Sequence, residues 1–182
     1  MKLSGHNPGE EESLHVAKLL HMIGDFERIS DHATSILLSA EEMHDKRAVF
    51  SPEAQKELLV LMAAVEEVSE LALKSFCEDD LKTAMQVEPL EEVVDSLRWQ
   101  LRTRHIIRLQ RNECTIEHGF ILNDLLTNLE RVSDHCSNIA GCILEMKHSR
   151  LEMHEYLNRV KSSGGEFNDM YEEYAKKYAL VE

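Results

Sequence analysis

The sequence predicts an all-α fold, an antiparallel bundle of long helices, and three observations predict it. Breakers are rare, with 7 Gly and 3 Pro in 182 residues. Leu, Glu, Ala and Met are plentiful while aromatics make up 5%, a mix that favours helix over strand. Apolar residues recur in steps of three and four along most of the chain, and no alternating segment of strand length competes with them.

The first helix is expected from about Glu11 to about Asp45, on a stripe of Ile23, Phe26, Ala33, Ile36, Ala40 and Met43. Ser51-Pro52 opens a second helix, with Ser as N-cap and Pro at the first helical position. Its stripe is Leu58, Leu61, Val65, Val68, Ala72 and Phe76, and it should stop between Cys77 and Asp80. Asp79 or Asp80 caps a third helix that runs to about Gln110 on Val87, Leu90, Val94, Leu97 and Leu101. Pro89 is expected to kink or divide it. The fourth helix follows Thr115, ends near Lys147 and buries Leu122, Leu125, Leu129, Val132, Cys136, Ile139 and Ile143. Ser149 with Glu152 forms a capping box for a short fifth helix. Beyond the break at Ser162 to Gly165, Ser163 with Glu166 can cap a last helix ending near Tyr178.

Composition narrows the function classes. A formal net charge of −14 repels phosphate backbones and argues against a nucleic-acid partner. Cys77, Cys114, Cys136 and Cys142 show no metal or redox spacing and read as reduced thiols. No apolar run is long enough to span a bilayer and no signal peptide opens the chain, so the domain is expected to be soluble. No Ser/His/Asp set, reactive cysteine setting or Gly-rich phosphate loop is evident, and no enzymatic activity is expected.

The strongest signal is an internal repeat. Residues 23–36 read IGDFERISDHATSI and residues 126–139 read LTNLERVSDHCSNI. Glu, Arg, Ser, Asp and His coincide in register, which points to duplicated supersecondary units. Packing alone needs a repeated apolar pattern, not repeated polar residues. Glu27 and Asp31, like Glu130 and Asp134, stand one helical turn apart and share a face. Leu20, Gly24 and Leu38 fall on the same side as Glu27 and Asp31, so that face need not be wholly solvated. Glu91 and Asp95 form a third such pair one hairpin before Glu130 and Asp134, and antiparallel packing could bring the two pairs face to face. Four facing carboxylates make a hard-oxygen site for a transition metal or Mg²⁺. His32 and His135 lie one residue past the Asp, a quarter-turn away, which suits a supporting or surface role.

These residues carry a family resemblance. Residues 51–144 resemble one complete PhoU repeat, a three-helix unit with Glu-x-x-x-Asp on its middle helix and ERxxD on its third. SFCEDDLKTAMQVEPLEEVVD resembles the family's hairpin, and LLHMIGDFERISDHATSI resembles the third helix of a preceding repeat. EFNDMYEEYAKKYAL resembles the ending of the cytosolic PhoU-like domain of bacterial sodium/phosphate cotransporters. The resemblance implies one domain of PhoU-like three-helix repeats: a motif helix at 11–46, a complete repeat at 51–148 and a C-terminal helical hairpin at 149–182. It implies a metal ion or multinuclear cluster held by Glu91, Asp95, Glu130 and Asp134, with Glu27 and Asp31 in another. Iron or zinc is favoured, over nickel or magnesium. The implied function is regulation of phosphate transport at the inner face of the membrane. The implied partner is a membrane phosphate transporter, expected in the same polypeptide, and a homo-oligomer is compatible with this picture. The front of the first repeat is missing, and the last two helices could fill the gap by packing on the first helix.

Two other readings stand beside it. In a metal-free helical adaptor, Arg28, Arg98, Arg102 and Arg131 would neutralise the carboxylates. In a carboxylate-bridged di-iron enzyme, Glu41-x-x-His44 and Glu145-x-x-His148 would be the ligand pairs, although they fall at helix ends and sit at different offsets from ERxSDH.

Overall fold

The computed structural model describes residues 9–147 and 165–180, and among these every regular element is a helix. They are α1 (Glu10–Lys46), α2 (Pro52–Glu78), α3 (Leu81–Gln110), α4 (Ile116–Lys147) and α5 (Glu166–Lys177). No helix among the described residues is long and apolar enough to cross a membrane.

Local chemistry sets the boundaries. The Ser51 hydroxyl accepts the Ala54 N–H at 3.2 Å, and Pro52 fills the first helical position. Asp80 caps α3 by accepting the Lys82 N–H at 3.0 Å and the Thr83 hydroxyl at 2.6 Å. Arg47, Asp79 and Asn112 adopt left-handed φ of 52°, 54° and 57°, ending the first three helices or turning the chain after them. The last helix starts from Gly165, which makes no side-chain cap, and the Ser163 cap and the Ser149 helix lie outside the described residues.

Helices α2, α3 and α4 form a three-helix unit, with α1 laid along α4 and α5 along α3. The expected α3 and α4 stripes are buried in full, and on α2 the line Leu61, Val65, Val68 and Ala72 is buried. Pro89 does not divide α3, which runs unbroken through it. Pro89 is fully enclosed within the bundle, so tertiary packing holds the helix together where local propensity would break it. Glu57 is buried at the far end of the α2–α3 pair, where Arg104 (3.1 Å) and Arg108 (2.8 and 3.1 Å) satisfy it.

The stripe on α1 differs from the one expected. Ile23, Ala33 and Ala40 face outward, and the buried line runs through Met22, Asp25 and Ser39 with Ile29, His32 and Ile36 half-buried beside it. The cause is that, among the described residues, α1 packs chiefly on α4, with Phe26 also meeting Phe76 of α2 edge-on at 5.1 Å, so it buries a narrow line rather than a broad face. Ion pairs Lys18–Glu145 (3.2 Å) and Lys46–Glu117 (2.9 Å) close the two ends of this antiparallel contact.

Helix α5 does not fill the gap beside α1. It packs on α3, with Tyr174 donating to Gln86 at 3.4 Å and Lys177 gripping Glu67 of α2 at 2.7 and 2.8 Å. The hydroxyl of the buried Tyr178 also donates to Glu67. These partners select α3 and α2 over α1.

Candidate metal centre

Antiparallel packing of α3 on α4 brings four of the six predicted carboxylates together. Arg98 marks the register: its Nη2 is 3.5 Å from Glu130 Oε1 and its Nε 3.9 Å from Asp95 Oδ1. Glu91 falls opposite Asp134 in this register. Burial, together with the charges of Asp95, Glu88, Asp134 and Glu92, pushes the Glu91 carboxyl up to about 8. Glu130 is also raised, by burial first, with Asp134 and Asp95 adding to it and Arg98 opposing. Asp134 is held by Arg131 at 3.0 Å.

Two carboxylates that the sequence reading passed over stand with Glu91. Glu88, Glu91 and Glu92 can each offer an oxygen within 4.8 Å of the others. Glu88 also accepts the Ser137 hydroxyl of α4. The signal was present in the spacing: positions 88, 91 and 92 are one turn apart around the same face of α3. Glu27 and Asp31 are not part of this cluster. They stay on α1 with exposed side chains, and Leu20 and Leu38 beside them are exposed too.

Among the described residues, the carboxylates whose oxygens lie close enough to share one cation are Glu88, Glu91 and Glu92, a group that does not include Asp95, Glu130 or Asp134. Asp95 Oδ1 is buried and has no hydrogen-bond donor, and neither does Arg98 Nε find an acceptor. A carboxylate oxygen desolvated without a donor is costly, and a cation or water between these groups would satisfy it. Oxygen ligands alone suit a hard or borderline metal. The arginines nevertheless supply part of the neutralisation themselves, as the adaptor reading requires. The rival di-iron pairs gain nothing: Glu41 and His44 are exposed, Glu145 is tied to Lys18, and His148 lies outside the described residues.

The histidines of the repeat have a role that their offset from Asp did not reveal. His135 is buried and its Nδ1 donates to Asp25 Oδ1 at 2.9 Å. His32 Nδ1 donates to Asn128 Oδ1 at 2.9 Å, and the two rings stack with centroids 5.6 Å apart. Asp25 and Asn128 occupy the same position of the repeat, two residues before its Glu. Each motif histidine therefore reaches across to the matching residue of the other helix, as an approximate twofold axis between α1 and α4 requires. The signal available in the sequence was the Asp/Asn match at 25 and 128, read together with the His match.

The fold and site define a class: a helical bundle that carries the ERxSDH motif on two helices and gathers carboxylates between α3 and α4. Residues 58–143 match the family model described as the PhoU domain. The chain is 24% identical over 160 residues to the phosphate-specific transport system accessory protein PhoU homolog 1 of Thermotoga maritima, covering 88% of this chain and 68% of the relative. It is 23% identical over 135 residues to a PhoU homolog of Deinococcus radiodurans, covering 74% of the chain and 62% of the relative. An uncharacterized protein of Deinococcus radiodurans is 30% identical over 140 residues, 72% of the chain and 47% of the relative. The chain thus spans roughly half to two thirds of the length of these relatives. No solved structure matches.

Proposed function

We propose that the chain is a PhoU-family regulatory module that controls phosphate uptake by contact with a membrane transporter, with metal at the α3–α4 carboxylate cluster. The observation that carries the family reading is the PhoU domain match over α2 to α4, which includes both helices of the cluster, α3 and α4. The name of the Thermotoga maritima relative, an accessory protein of phosphate-specific transport, supplies the transport context. The finer reading is that the module acts in the cytosol at the inner membrane face, as the C-terminal part of a sodium/phosphate cotransporter. Its C-terminal sequence motivates that placement. Phosphate uptake in cells carrying the natural gene with and without this region tests it: an unchanged uptake rate under varied phosphate supply would remove the regulatory reading.

For the metal, the ligands would be Glu91, Asp95, Glu130 and Asp134, with Glu88 and Glu92 at the edge; Glu27 and Asp31 would belong to a second, separate site on α1. A bound cation would neutralise the repelling carboxylates and tie α3 to α4. Iron or zinc is expected ahead of nickel or magnesium. A metal that binds only the folded chain stabilises it by about 2.7 kcal/mol at a hundredfold excess over its dissociation constant. Melting curves with chelator and then with each metal should show that rise, and Glu130→Gln with Asp134→Asn should abolish it. The adaptor reading, favoured by Arg98 and Arg131, predicts that the double change lowers the melting temperature equally with and without metal. No shift with any ion would leave the adaptor standing alone.

A further inference from the structure

Positive charge and apolar exposure coincide at the closed end of the α3–α4 hairpin. Residues 96–112 hold five of the chain's 20 Lys and Arg and none of its 34 Asp and Glu. Arg104 and Arg108 turn inward onto Glu57, and Arg98 reaches Glu130. Arg102 and Arg111 are exposed and make no ion pair among the described residues. Trp99, Arg102 and Ile106 follow one another at steps of three and four, so they share a face of α3. Helix α5 leaves that face open, because it meets α3 nearer its start, at Gln86. On α4, Ile116 and Phe120 stand one turn apart. The register that sets Arg98 against Glu130 and His105 against Gly119 lays these two along the last turns of α3. Trp99 is 68% exposed, Ile116 66% and Phe120 70%, and Ile106 is exposed between them. The exposed acids Glu113 and Asp124 border the face.

We propose that this face docks on an anionic lipid surface. Large apolar side chains standing singly among arginines, on the broad face of two antiparallel helices, suit a fluid surface. Trp99, Ile106, Ile116 and Phe120 enter the headgroup layer, and Arg102 and Arg111 stay with the lipid phosphates. The net charge of −14 opposes approach at long range. Its field is screened beyond about 8 Å at physiological salt, and inside that distance the local arginines decide. The same polarity orients the molecule. Glu88, Glu91 and Glu92, further back along α3, are repelled by the lipid, so the turn between α3 and α4 tilts toward it. The inference stands on this exposed face and not on the transport or metal reading, so each fails separately.

Trp99 is the one tryptophan of the chain and reports on the contact directly. The full chain is titrated with vesicles of phosphatidylcholine alone, and with vesicles in which about a third of the lipid is phosphatidylglycerol. With the anionic vesicles Trp99 emission should shift to the blue and the chain should sediment with them. Binding should be about tenfold or more tighter than to phosphatidylcholine alone and should weaken as salt rises. Arg102→Glu with Arg111→Glu should weaken it by about tenfold or more, and Ile106→Ser with Phe120→Ser should weaken it and reduce the blue shift. All four side chains are exposed, so the melting temperature of the free chain should hold in both variants. Arg28→Glu with Lys74→Glu makes the same change of net charge at exposed positions elsewhere and should leave binding within about twofold. Three results would overturn the proposal. Anionic vesicles at low salt give neither shift nor sedimentation; the Arg28 and Lys74 variant loses as much binding as the Arg102 and Arg111 variant, so net charge alone is the cause; or poly-glutamate shifts Trp99 emission where vesicles do not, so the partner is an acidic protein.

Discussion

Asp25 and Asn128 show how one atom separates two otherwise matching contacts. Asp25 is buried, takes a short hydrogen bond from His135 on Oδ1, and among the described residues its Oδ2 takes none; exposed His21 approaches that oxygen no closer than 3.8 Å. Asn128 is half-buried and keeps a second bond from its own amide to the Asp124 carbonyl at 2.8 Å. Removing a partner costs most where it strands a buried acid. His135→Ala should therefore destabilise the chain by about 2–3 kcal/mol, and His32→Ala by only about 1 kcal/mol, in urea unfolding. Asp25→Asn in the His135→Ala background should recover part of the loss. Equal costs for the two histidines would contradict the assignment. That Glu91 and Asp95 come near Glu130 and Asp134 was legible at this scale, because Glu-x-x-x-Asp on successive antiparallel helices sets one face against the other. The histidines were not, because their partners lie on another helix, 96 and 110 residues away in sequence.

At the scale of elements, what the sequence shows depends on how many neighbours a helix has. Helices α3 and α4 are enclosed on several sides, so every residue of their broad apolar stripes is buried as expected. Helix α1 rests chiefly on α4 among the described residues, and the side of its wide apolar surface that is used depends on the register with α4, which periodicity does not encode. Pro89 and α5 fail for the same reason: both are decided by tertiary partners, the enclosing bundle for the proline and Glu67 with Gln86 for the tyrosines. The α2–α3 pair has its own fixed point in Glu57. Its two carboxylate oxygens are shared by Arg104 and Arg108, so one truncation removes an acceptor from two guanidiniums at once. Glu57→Ala should cost about 3 kcal/mol, whereas Glu66→Ala, on the exposed side of the same helix, should change stability by less than about 0.5 kcal/mol. Urea midpoints of the two variants measure this, and a Glu57 effect as small as that of Glu66 would show the cluster to be ornamental.

Across the whole molecule, an excess of acid is gathered into one seam of a chain that already carries a net charge of −14. The bundle can relieve that seam in three ways: by arginine, by cation or by proton. Arg98 and Arg131 supply the first, yet Glu91 is still pushed up to about 8, above its usual 4.5, by burial and by four neighbouring acids. The direction of linkage follows. Folding raises the affinity of Glu91 for its proton, so the folded state binds more protons than the unfolded state between about 4.5 and about 8. The stability this group allows is fully present below its unfolded value and is lost as pH rises through about 8. In chelator, the urea midpoint should therefore fall between pH 5 and pH 9, and Glu91→Gln, which cannot ionise, should flatten that part of the profile. A cation competes with the proton for the same oxygens, so added metal should stabilise the wild type more at pH 8.5 than at pH 5.5 and should not restore the slope in Glu91→Gln. If the wild-type and Glu91→Gln profiles run parallel in chelator, Glu91 is not the group that senses the crowding, and the seam is already neutralised by its arginines.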